Sequence, residues 1–580
     1  MLKTTQYRLL IALNGSMMLL ALLCLIEEYG FKTLPLHNWV LHLLQMISVI
    51  VLLITRYYLW SISKERRWKH LLPDIILLVV QILALLFLPQ MLREVAPPSR
   101  IFWSLFHVFL LAMVVLRVAR YTVTVASGRS PTRVLFGSFT FVIFTGAILL
   151  MLPAAHRGET ISFTDAVFTA TSATCVTGLT VLDTAGGFTH LGQTIILFLI
   201  QIGGLGIMIF GTLFAFVLGN PLTLRESVAM KDILNEQAPG RITRLVVFIC
   251  FSTFLIELLG FCGLLDMWDS PLPLADRIYK SMFHAISAFC NAGFALQPDS
   301  LIPYRSSFQV YTVICPLVVL GGLGFPVLFN LFDVMGSRLK KLFRPGTRRR
   351  AENITLTLHS KIVLITTVVL IAAGWLLLTL LELNRPDGSS VSIWQACRDS
   401  LFNSITSRTA GFNTVVIAQL SAGAKMLMIF LMYIGGSPSS TAGGIKTITV
   451  AIMTLAIYST IRRREQVHAF HRTIPVNIVR RAAILLTVYS LLIWFFTLLL
   501  TLTEKSLGAD LLDLLFEVTS ALGTVGLSTG VTAHLTWAGK WIIIVAMFIG
   551  RLGPLSLLAA LTFNYRNIRY EYPSEPLVVG

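Results

Sequence analysis

Four stretches of this 580-residue chain share one pattern: FTATSATCVTGLTV at 168–181, FHAISAFCNAGFAL at 283–296, LFNSITSRTAGFNTV at 401–415 and FEVTSALGTVGLSTG at 516–530. When Gly178, Gly293, Gly411 and Gly526 are aligned, they are spaced by 115, 118 and 115 residues. A phenylalanine stands ten residues before the glycine in three copies, and Leu401 takes that place in the third copy. Self-similarity at a nearly fixed period indicates a chain built from repeated structural units.

The composition indicates that these units lie in a membrane. Only 13% of the residues are charged and 55% are hydrophobic, with a mean hydropathy of +0.78, whereas soluble domains carry roughly 25% charged residues. Apolar runs of about twenty residues are long enough to cross a bilayer as helices. They predict twelve spans, the tenth of them interrupted, near 9–27, 38–58, 71–92, 101–119, 134–155, 190–218, 243–266, 307–335, 359–383, 425–460, 481–503 and 537–563.

The positive charges predict the orientation of the spans. If the N-terminus is cytoplasmic, 32 of the 46 lysines and arginines fall on the inner side. The positive-inside rule then predicts a plasma (inner) membrane protein with both termini in the cytoplasm. We therefore interpret the net charge of +18 as a topology signal with contact to anionic lipid, and expect no nucleic acid partner. Seven scattered cysteines, without a CxxC pair or a Cys/His cluster, predict neither a disulfide framework nor a bound metal.

The segments that precede the four glycines are too short to cross a membrane. Each lies on the outer side between two long apolar runs, at 163–174, 279–290, 397–407 and 511–522, so each must enter and return. Non-helical backbone at membrane depth is tolerated only when it is buried in protein or lines a watery cavity. Four such loops in one chain predict an ion pore, with the loops facing one another around an axis.

In this geometry each short helix points its negative C-terminal end toward the axis, and the segment after it directs backbone carbonyls inward. Glycine permits the positive φ that this path needs and leaves no side chain to block an ion. Close helix packing is the simpler explanation of a single such glycine, but four equally spaced copies disfavour it. The predicted ion filter comprises Cys175, Val176, Thr177, Gly178, Leu179, Cys290, Asn291, Ala292, Gly293, Thr409, Ala410, Gly411, Thr524, Val525 and Gly526.

The tenth span contains GGSPSSTAGG at 435–444, which cannot sustain a straight helix. It is not a Walker phosphate loop, because Ile445 separates the last glycine from Lys446. Arg551 lies fourteen residues after Trp537, about 21 Å into the last span, where a charge needs partners and usually has a function. The predicted gate comprises Gly435, Gly436, Ser437, Pro438, Ser439, Ser440, Thr441, Ala442, Gly443, Gly444, Lys446 and Arg551; a simple packing kink is the alternative.

Several of these segments resemble the four filter loops of the Trk/Ktr/HKT potassium transporter superfamily: CVTGLTV, SAFCNAGFAL, TSRTAGFNTV and SALGTVGLSTG. The ends of the inner helices match as well, with QIGGLGIM, GGLGFP, GGSPSSTAGGIKT and GRLGPLSLL. The resemblance covers roughly residues 130–565 and implies four repeats of outer helix, pore helix and inner helix. It further implies K⁺ passage through backbone carbonyls, with the loop at 435–444 and Arg551 as the gate.

The resemblance also implies partners and a substrate preference. It implies a homodimer and a cytoplasmic ring of nucleotide-binding regulatory subunits, which sense ATP or ADP if the Ktr-like loop SPSSTAGGIKT is the guide, with NAD as the alternative. The chain itself would be a transporter with no cofactor and no enzyme activity, and no histidine lies beside the serine-rich loop to suggest a hydrolase. Family members that pass mainly Na⁺ often carry serine at the position of Gly178, so K⁺ is expected here. Coupled symport with Na⁺ or H⁺ and Na⁺ permeation remain alternatives.

The predicted domain division places a four-span extension at 1–127 ahead of four pore repeats at 128–230, 231–345, 346–470 and 471–580, the last with a short cytoplasmic tail. Four extra spans exceed the two typical of Trk-type members. A voltage sensor is disfavoured because the fourth span carries only Arg117 and Arg120 near its inner end and Arg100 at its outer end. A packing or assembly role is therefore expected for the extension.

Overall fold

A computed structural model describes residues 2–31, 35–62, 72–91, 131–158, 160–206, 239–268, 272–343, 355–383 and 392–553, together with isolated positions at 97 and between 102 and 113. Most of the predicted span at 101–119 lies outside the described residues, as do the inner ends of the spans at 190–218 and 537–563. The arginines considered for a voltage sensor also lie outside them.

The described chain is almost entirely helical. Its helices are α1 Leu2–Gly30, α2 Pro35–Ile62, α3 Leu72–Met91, α4 Pro131–Leu150, α5 Phe163–Thr174, α6 His190–Leu205, α7 Pro239–Leu264, α8 Leu274–Phe289, α9 Cys315–Leu323, α10 Phe325–Phe343, α11 Leu358–Leu383, α12 Ile393–Thr406, α13 Ala422–Tyr433, α14 Thr447–Ile461, α15 Val476–Thr503, α16 Leu511–Gly523 and α17 Trp537–Leu552. A π-helical turn at Val310–Ile314 leads into α9, and single turns occur at Thr184–Gly187, Ile302–Tyr304, Ile417–Gln419, Lys505–Leu507 and Val531–His534. Two short strands, β1 Val467–Ala469 and β2 Arg472–Ile474, pair antiparallel after α14.

Four described helices are long and apolar enough to cross a membrane by themselves. These segments are Ala12–Gly30, Arg244–Leu264, Leu358–Leu383 and Val476–Thr503, with mean hydropathies between 1.3 and 2.5. Large apolar side chains such as Phe254, Val368 and Trp494 stay more than 60% exposed on these helices. An apolar outer surface of this kind is expected where a helix faces lipid. The prediction of an all-α polytopic membrane protein is confirmed.

After residue 130, twelve of the described helices pack in four sets of three, which we call units; in chain order we name the members of each unit the outer helix, the short pore helix and the inner helix. Within every unit the three helices contact one another: α4, α5 and α6; α7, α8 and α9; α11, α12 and α13; α15, α16 and α17. The inner helix of each unit also packs against the pore helix of the next, as α6 on α8, α9 on α12 and α13 on α16. Because the last inner helix, α17, packs on the first pore helix, α5, the four units close into a ring.

Glycines allow the inner helices to approach the pore helices closely. A Cβ atom built on Gly203 would overlap the carbonyl oxygen of Thr174, the last residue of α5. Gly321 has the same relation to Phe289 at the end of α8, and Gly550 to Leu522 near the end of α16. In membranes, where helices associate through close packing, small residues at such contacts allow backbones to meet.

The sequence predicts one continuous span near 307–335 for the second inner helix, but in the structure this helix is broken. It breaks at Gly324, whose φ is +84°, and the segment that follows is bent by 104°. This φ favours glycine, and Pro326 follows directly in the next helix. The predicted interruption of the tenth span is confirmed, since α13 ends at Tyr433 and α14 begins at Thr447.

Ion pairs link neighbouring units at the N-terminal ends of the pore helices. Lys540 Nζ of α17 lies 2.6 Å from Asp165 of α5, and Lys425 Nζ of α13 lies 3.0 Å from Asp513 of α16. Asp165 and Asp513 are in the first turns of their helices, where the helix dipole favours a negative charge. The pair between Lys540 and Asp165 joins the last unit to the first.

We predict that Lys540→Met lowers the thermal unfolding midpoint of the purified protein, because it leaves the largely buried Asp165 carboxylate without its cation. A double-mutant cycle with Asp165→Asn should give a coupling energy of roughly 0.5–3 kcal/mol, as contacting residues usually do. Asp266→Asn is the control, since its carboxylate is 89% exposed in a pair with Arg277. Additive effects of the two substitutions would show that this pair does not stabilise the ring.

Candidate ion pathway

The four glycine loops share one backbone conformation. In each, the glycine and the residue two positions before it have positive φ values. These pairs are Val176 and Gly178, Asn291 and Gly293, Thr409 and Gly411, and Thr524 and Gly526, with φ between 50° and 93°. Positive φ is uncommon for residues other than glycine, so its recurrence in four loops indicates a required path. Alternation of this kind turns successive carbonyls toward one side of the loop.

The four glycines lie against one another in chain order. A Cβ atom built on Gly178 would lie 3.1 Å from the Cα of Gly293, and one on Gly293 would lie 2.8 Å from the Cα of Gly411. The same construction on Gly411 reaches the Cα of Gly526 at 3.4 Å, and on Gly526 it reaches Gly178 at 3.0 Å. The four loops therefore meet around a single axis.

Backbone carbonyls stand next to every glycine of this ring. The added Cβ atoms would meet the carbonyl oxygens of Ala292, Ala410, Val525 and Thr177, each of which belongs to the residue before the neighbouring glycine. Any side chain at these four positions would therefore displace a carbonyl of the adjacent loop. The structure brings together all four predicted filter segments, with a backbone carbonyl beside each glycine.

Hydroxyl groups of the pore helices hold the loops in place. Ser172 Oγ accepts a hydrogen bond from Gly178 N, and Ser520 Oγ accepts one from Gly526 N, both at 3.1 Å. In the other two loops, Ser287 Oγ and Thr406 Oγ1 donate to the carbonyls that follow the glycine, at 2.8 and 2.6 Å. These residues are not among the predicted filter residues, although a serine recurs six positions before Gly178, Gly293 and Gly526 in the sequence.

The threonine side chains of the loops are buried without partners. Within the part of the chain that the structure describes, the hydroxyls of Thr177, Thr409 and Thr524 have no hydrogen-bond partner. A buried polar group without a partner is costly, so these hydroxyls are candidates to contact water or a passing ion. Thr524 also lies against the interrupting loop, because a Cβ on Gly443 would overlap its hydroxyl.

A polar cavity of about 150 Å³ lies against the glycine ring, on the side of the residues that follow the glycines in each loop. Asp183 and Ser528 are among its lining residues. The Asp183 carboxylate accepts hydrogen bonds from the backbone of Ala185 and Gly186. Behind the wall, Glu517 accepts from Ser528 Oγ at 2.6 Å and from Thr529 N at 2.9 Å, so it braces the loop after Gly526.

The interrupting loop, residues 435–444, is bound to the second unit. Ser437 N donates to Gly322 O at 3.0 Å, Thr441 N donates to Gly321 O at 3.3 Å, and Phe325 N donates to Ser439 O at 3.1 Å. Thr441 Oγ1 also donates to Phe289 O at the end of α8, at 3.4 Å. At its other end, Gly443 lies beside the last residues of α16. The loop therefore runs between the C-terminal ends of two pore helices.

Arg551 joins this loop to the rest of the ring. Its guanidinium donates to the carbonyl of Thr441 in the loop and to the carbonyl of Gly203 in the first inner helix. Lys446, two residues after the loop, donates a hydrogen bond from its Nζ to Ala442 O at 2.8 Å. In the part of the chain that the structure describes, the hydrogen-bond acceptors of Arg551 and Lys446 are neutral backbone carbonyls. The predicted gate residues are brought together beneath the glycine ring.

Comparisons with known proteins agree with this architecture. The TrkH family model, described as cation transport protein, matches residues 99–565. The chain is 39% identical over 444 residues to the Ktr system potassium uptake protein B of Bacillus subtilis (strain 168), covering 76% of this chain and 95% of that protein. It is 36% identical over 457 residues to the potassium/sodium uptake protein NtpJ of Enterococcus hirae, covering 78% and 97%.

A solved structure supports the fold. The crystal structure of the potassium transporter TrkH from Vibrio parahaemolyticus superposes with a TM-score of 0.59 at 20% identity, covering 86% of this chain and 99% of that one. At this identity the match shows a shared fold alone. Since the family model spans most of the chain and two relatives exceed 30% identity, the chain belongs to the TrkH family of cation transport proteins.

Proposed function

We propose that this chain is the pore subunit of a K⁺ uptake system in the plasma membrane, with both termini in the cytoplasm. The observation that carries the proposal is the closed ring of four glycines with carbonyl oxygens beside each of them. Relatives named as potassium uptake proteins support K⁺ as the transported ion. The proposed pore comprises the repeats at 128–230, 231–345, 346–470 and 471–580, preceded by the extension at 1–127.

The filter selects K⁺ in this proposal because carbonyl oxygens replace the hydration shell of the ion. Its residues are the fifteen named from the sequence, from Cys175–Leu179 to Thr524–Gly526. Replacing a glycine of the ring would change the spacing of these oxygens, because each position has a positive φ and a neighbouring carbonyl in contact.

We predict that Gly178→Ser reduces K⁺ uptake at least about tenfold and weakens the preference for K⁺ over Na⁺. Its side chain would displace the Ala292 carbonyl, and its φ of +93° penalises any residue with a Cβ. Uptake should be measured in cells that lack other K⁺ uptake systems. Gly158→Ser is the matched control: Gly158 has a φ of +87° but nothing within 4 Å of an added Cβ. Unchanged selectivity in well-expressed Gly178→Ser would overturn the filter assignment.

A Na⁺-permeable or Na⁺-coupled transporter is the second candidate. The observation in its favour is the relative NtpJ, which is named as a potassium/sodium uptake protein. Reversal potentials in reconstituted membranes distinguish the candidates. For a passive K⁺-selective pore, the reversal potential depends on the K⁺ gradient alone. Coupled symport with Na⁺ or H⁺ would shift the reversal potential when the gradient of the second ion changes.

We further propose that Arg551, Lys446 and the loop 435–444 form the gate. The support is that both cations are held by carbonyls of the loop and lie beneath the glycine ring. A unit charge about 4 Å from a permeating cation contributes roughly 4 kcal/mol at an effective dielectric constant of 20. The loop contains four glycines, so it has little helical preference to resist a change of path.

We predict that Arg551→Ala, or a deletion of several residues between Gly436 and Gly443, raises K⁺ flux at least about tenfold. Loss of the guanidinium lowers the electrostatic barrier and releases the loop from Gly203. Flux should be measured by K⁺ uptake into liposomes with equal amounts of folded protein. Two variants serve as controls. Arg551→Lys retains a positive charge at that position, and Arg462→Ala removes an exposed positive charge at the cytoplasmic end of α14. If both test variants conduct no faster than the parent, the loop is a packing kink.

The proposed regulation comes from separate subunits. The support is the concentration of 32 of the 46 lysines and arginines on the side assigned to the cytoplasm. Part of that surface is described: the β1–β2 hairpin and Arg462, Arg463 and Arg464 before it are largely exposed. We propose a homodimer of this chain that docks a cytoplasmic ring of nucleotide-binding subunits, with anionic lipid around the basic loops.

We predict that the chain, purified gently from its native membrane, elutes with a nucleotide-binding protein and as a dimer. The ratio of the two proteins should change between ATP and ADP, because the nucleotide alters the docking face of the ring. Replacing Arg462, Arg463 and Arg464 with serine should reduce co-elution without changing the dimer. Recovery of the pore chain alone under every nucleotide condition would indicate that it operates without this partner.

A further inference from the structure

A cluster of polar side chains lies in the N-terminal extension, away from the proposed ion pathway. Glu28 at the end of α1 contacts two histidines: its Oε1 lies 3.0 Å from His42 Nε2 in α2, and its Oε2 lies 3.2 Å from His107 Nε2. One oxygen of Glu28 and one ring nitrogen of each histidine lie within 4.8 Å of one another. Glu28 and the two histidines come from three separate parts of the chain.

These three groups form a ligand set suited to a transition metal. Zn²⁺ binds imidazole nitrogen at about 2.0–2.1 Å and carboxylate oxygen at about 2.0–2.2 Å, in tetrahedral geometry. Tetrahedral bonds of about 2.1 Å separate two ligand atoms by roughly 3.4 Å. The observed separations from Glu28 to His42 and His107 are 3.0 and 3.2 Å. An ion could therefore enter with small movements of the three side chains.

Further contacts orient the ligands in the way that metal sites require. Tyr29 Oη lies 2.7 Å from His107 Nδ1, which leaves Nε2 of that ring facing Glu28. Gln45 Nε2 donates to Glu28 Oε2 at 2.8 Å, and Trp103 stacks on His42 with ring centroids 3.6 Å apart. Outer partners of this kind fix the tautomer and direction of a metal-binding histidine. Gln45 Oε1 lies 3.0 Å from His107 Nε2, so it is available as a fourth ligand.

We propose that Glu28, His42 and His107 bind a divalent transition-metal ion of the Zn²⁺ type, with Gln45 Oε1 or water in the fourth position. The bound ion fastens α1 and α2 to the segment that contains His107. Glu28 and His42 precede the region matched by the family model, which begins at residue 99. His107 lies just inside that region, but all three residues belong to the extension proposed at 1–127, so the site does not depend on the proposed ion selectivity.

The position of the site connects the extension to the first pore unit. Two residues after Glu28, the carbonyl of Gly30 accepts a hydrogen bond from Ala154 N at 3.0 Å. Ala154 in turn accepts a hydrogen bond from Thr189 Oγ1 at 2.6 Å, and Thr189 caps the N-terminus of the first inner helix. A metal that holds the end of α1 in place would stabilise this attachment.

The test uses the full-length protein purified with a histidine-free tag. The protein is incubated with ZnSO₄, passed over a desalting column, and its zinc counted by mass spectrometry; CoSO₄ in its place reports tetrahedral coordination by visible absorption. We expect about one zinc per chain that excess Mg²⁺ does not displace. Zinc should also raise the thermal unfolding midpoint, because it binds the folded protein.

Matched variants locate the ion. Glu28→Gln and His107→Ala should each lower zinc affinity at least tenfold and abolish the rise in midpoint. Tyr29→Phe, which keeps the ring but removes the group facing His107 Nδ1, should lower affinity about 10- to 100-fold. His471→Ala, an exposed histidine of the cytoplasmic hairpin, should behave as the parent.

Two results would overturn the proposal. One is a parent protein that retains well under one zinc per chain and shows no Co²⁺ absorption, in which case the cluster is a hydrogen-bonded contact between helices. The other is zinc binding that Glu28→Gln and Tyr29→Phe leave unchanged, which would place the ion elsewhere. If His107→Ala fails to fold, these two milder variants still decide the outcome. Every readout is independent of K⁺ transport.

Discussion

The close approach of four glycine backbones at the centre of the ring is the constraint on which the rest of the structure depends. Each of these glycines leaves room for a carbonyl of the next loop, so none tolerates a side chain. A second layer of glycines supports the first, because Gly203, Gly321 and Gly550 bring inner helices against the last carbonyls of the pore helices. Inside a bilayer, where burial from water does not drive helix association, such packing and internal hydrogen bonds hold the units together.

The four units are similar but not equivalent, and their differences gather beneath the ring. Arg551 follows Gly550, at the position that Gly204 and Gly322 occupy after Gly203 and Gly321. The third inner helix is interrupted by the ten-residue loop 435–444, whereas the second is broken at the single residue Gly324. Because Arg551 donates to Thr441 of this loop, the added charge and the added loop meet in one place. The third and fourth units therefore differ from the other two at this contact, and the proposed gate lies there.

Two buried carboxylates hold neighbouring segments together through hydrogen bonds. Glu257 accepts hydrogen bonds from Gln201 Nε2 at 3.1 and 3.2 Å and so links the second outer helix to the first inner helix. Glu517 holds the loop after Gly526 through Ser528 and Thr529. Buried carboxylates of this kind persist because several donors satisfy each of them.

The sequence by itself determined the membrane class and the approximate positions of the pore helices, because both depend on local patterns; α8 and α12 begin at Leu274 and Ile393, a few residues before the predicted 279 and 397. The start of α5 at Phe163 follows from the limits of the apolar runs. The interruption that begins at Gly435 follows from glycines and a proline, which do not sustain a helix. Only the tertiary structure decided the cyclic order of the units, the acceptors of Arg551 and the meeting of Glu28 with His107. These contacts join residues separated by 79 to 375 positions, and no local pattern encodes which distant groups will be neighbours. The bend at Gly324 was missed for a related reason: the apolar run at 307–335, with Gly321, Gly322 and Gly324, fits a continuous helix as well as a broken one until neighbouring helices fix its direction.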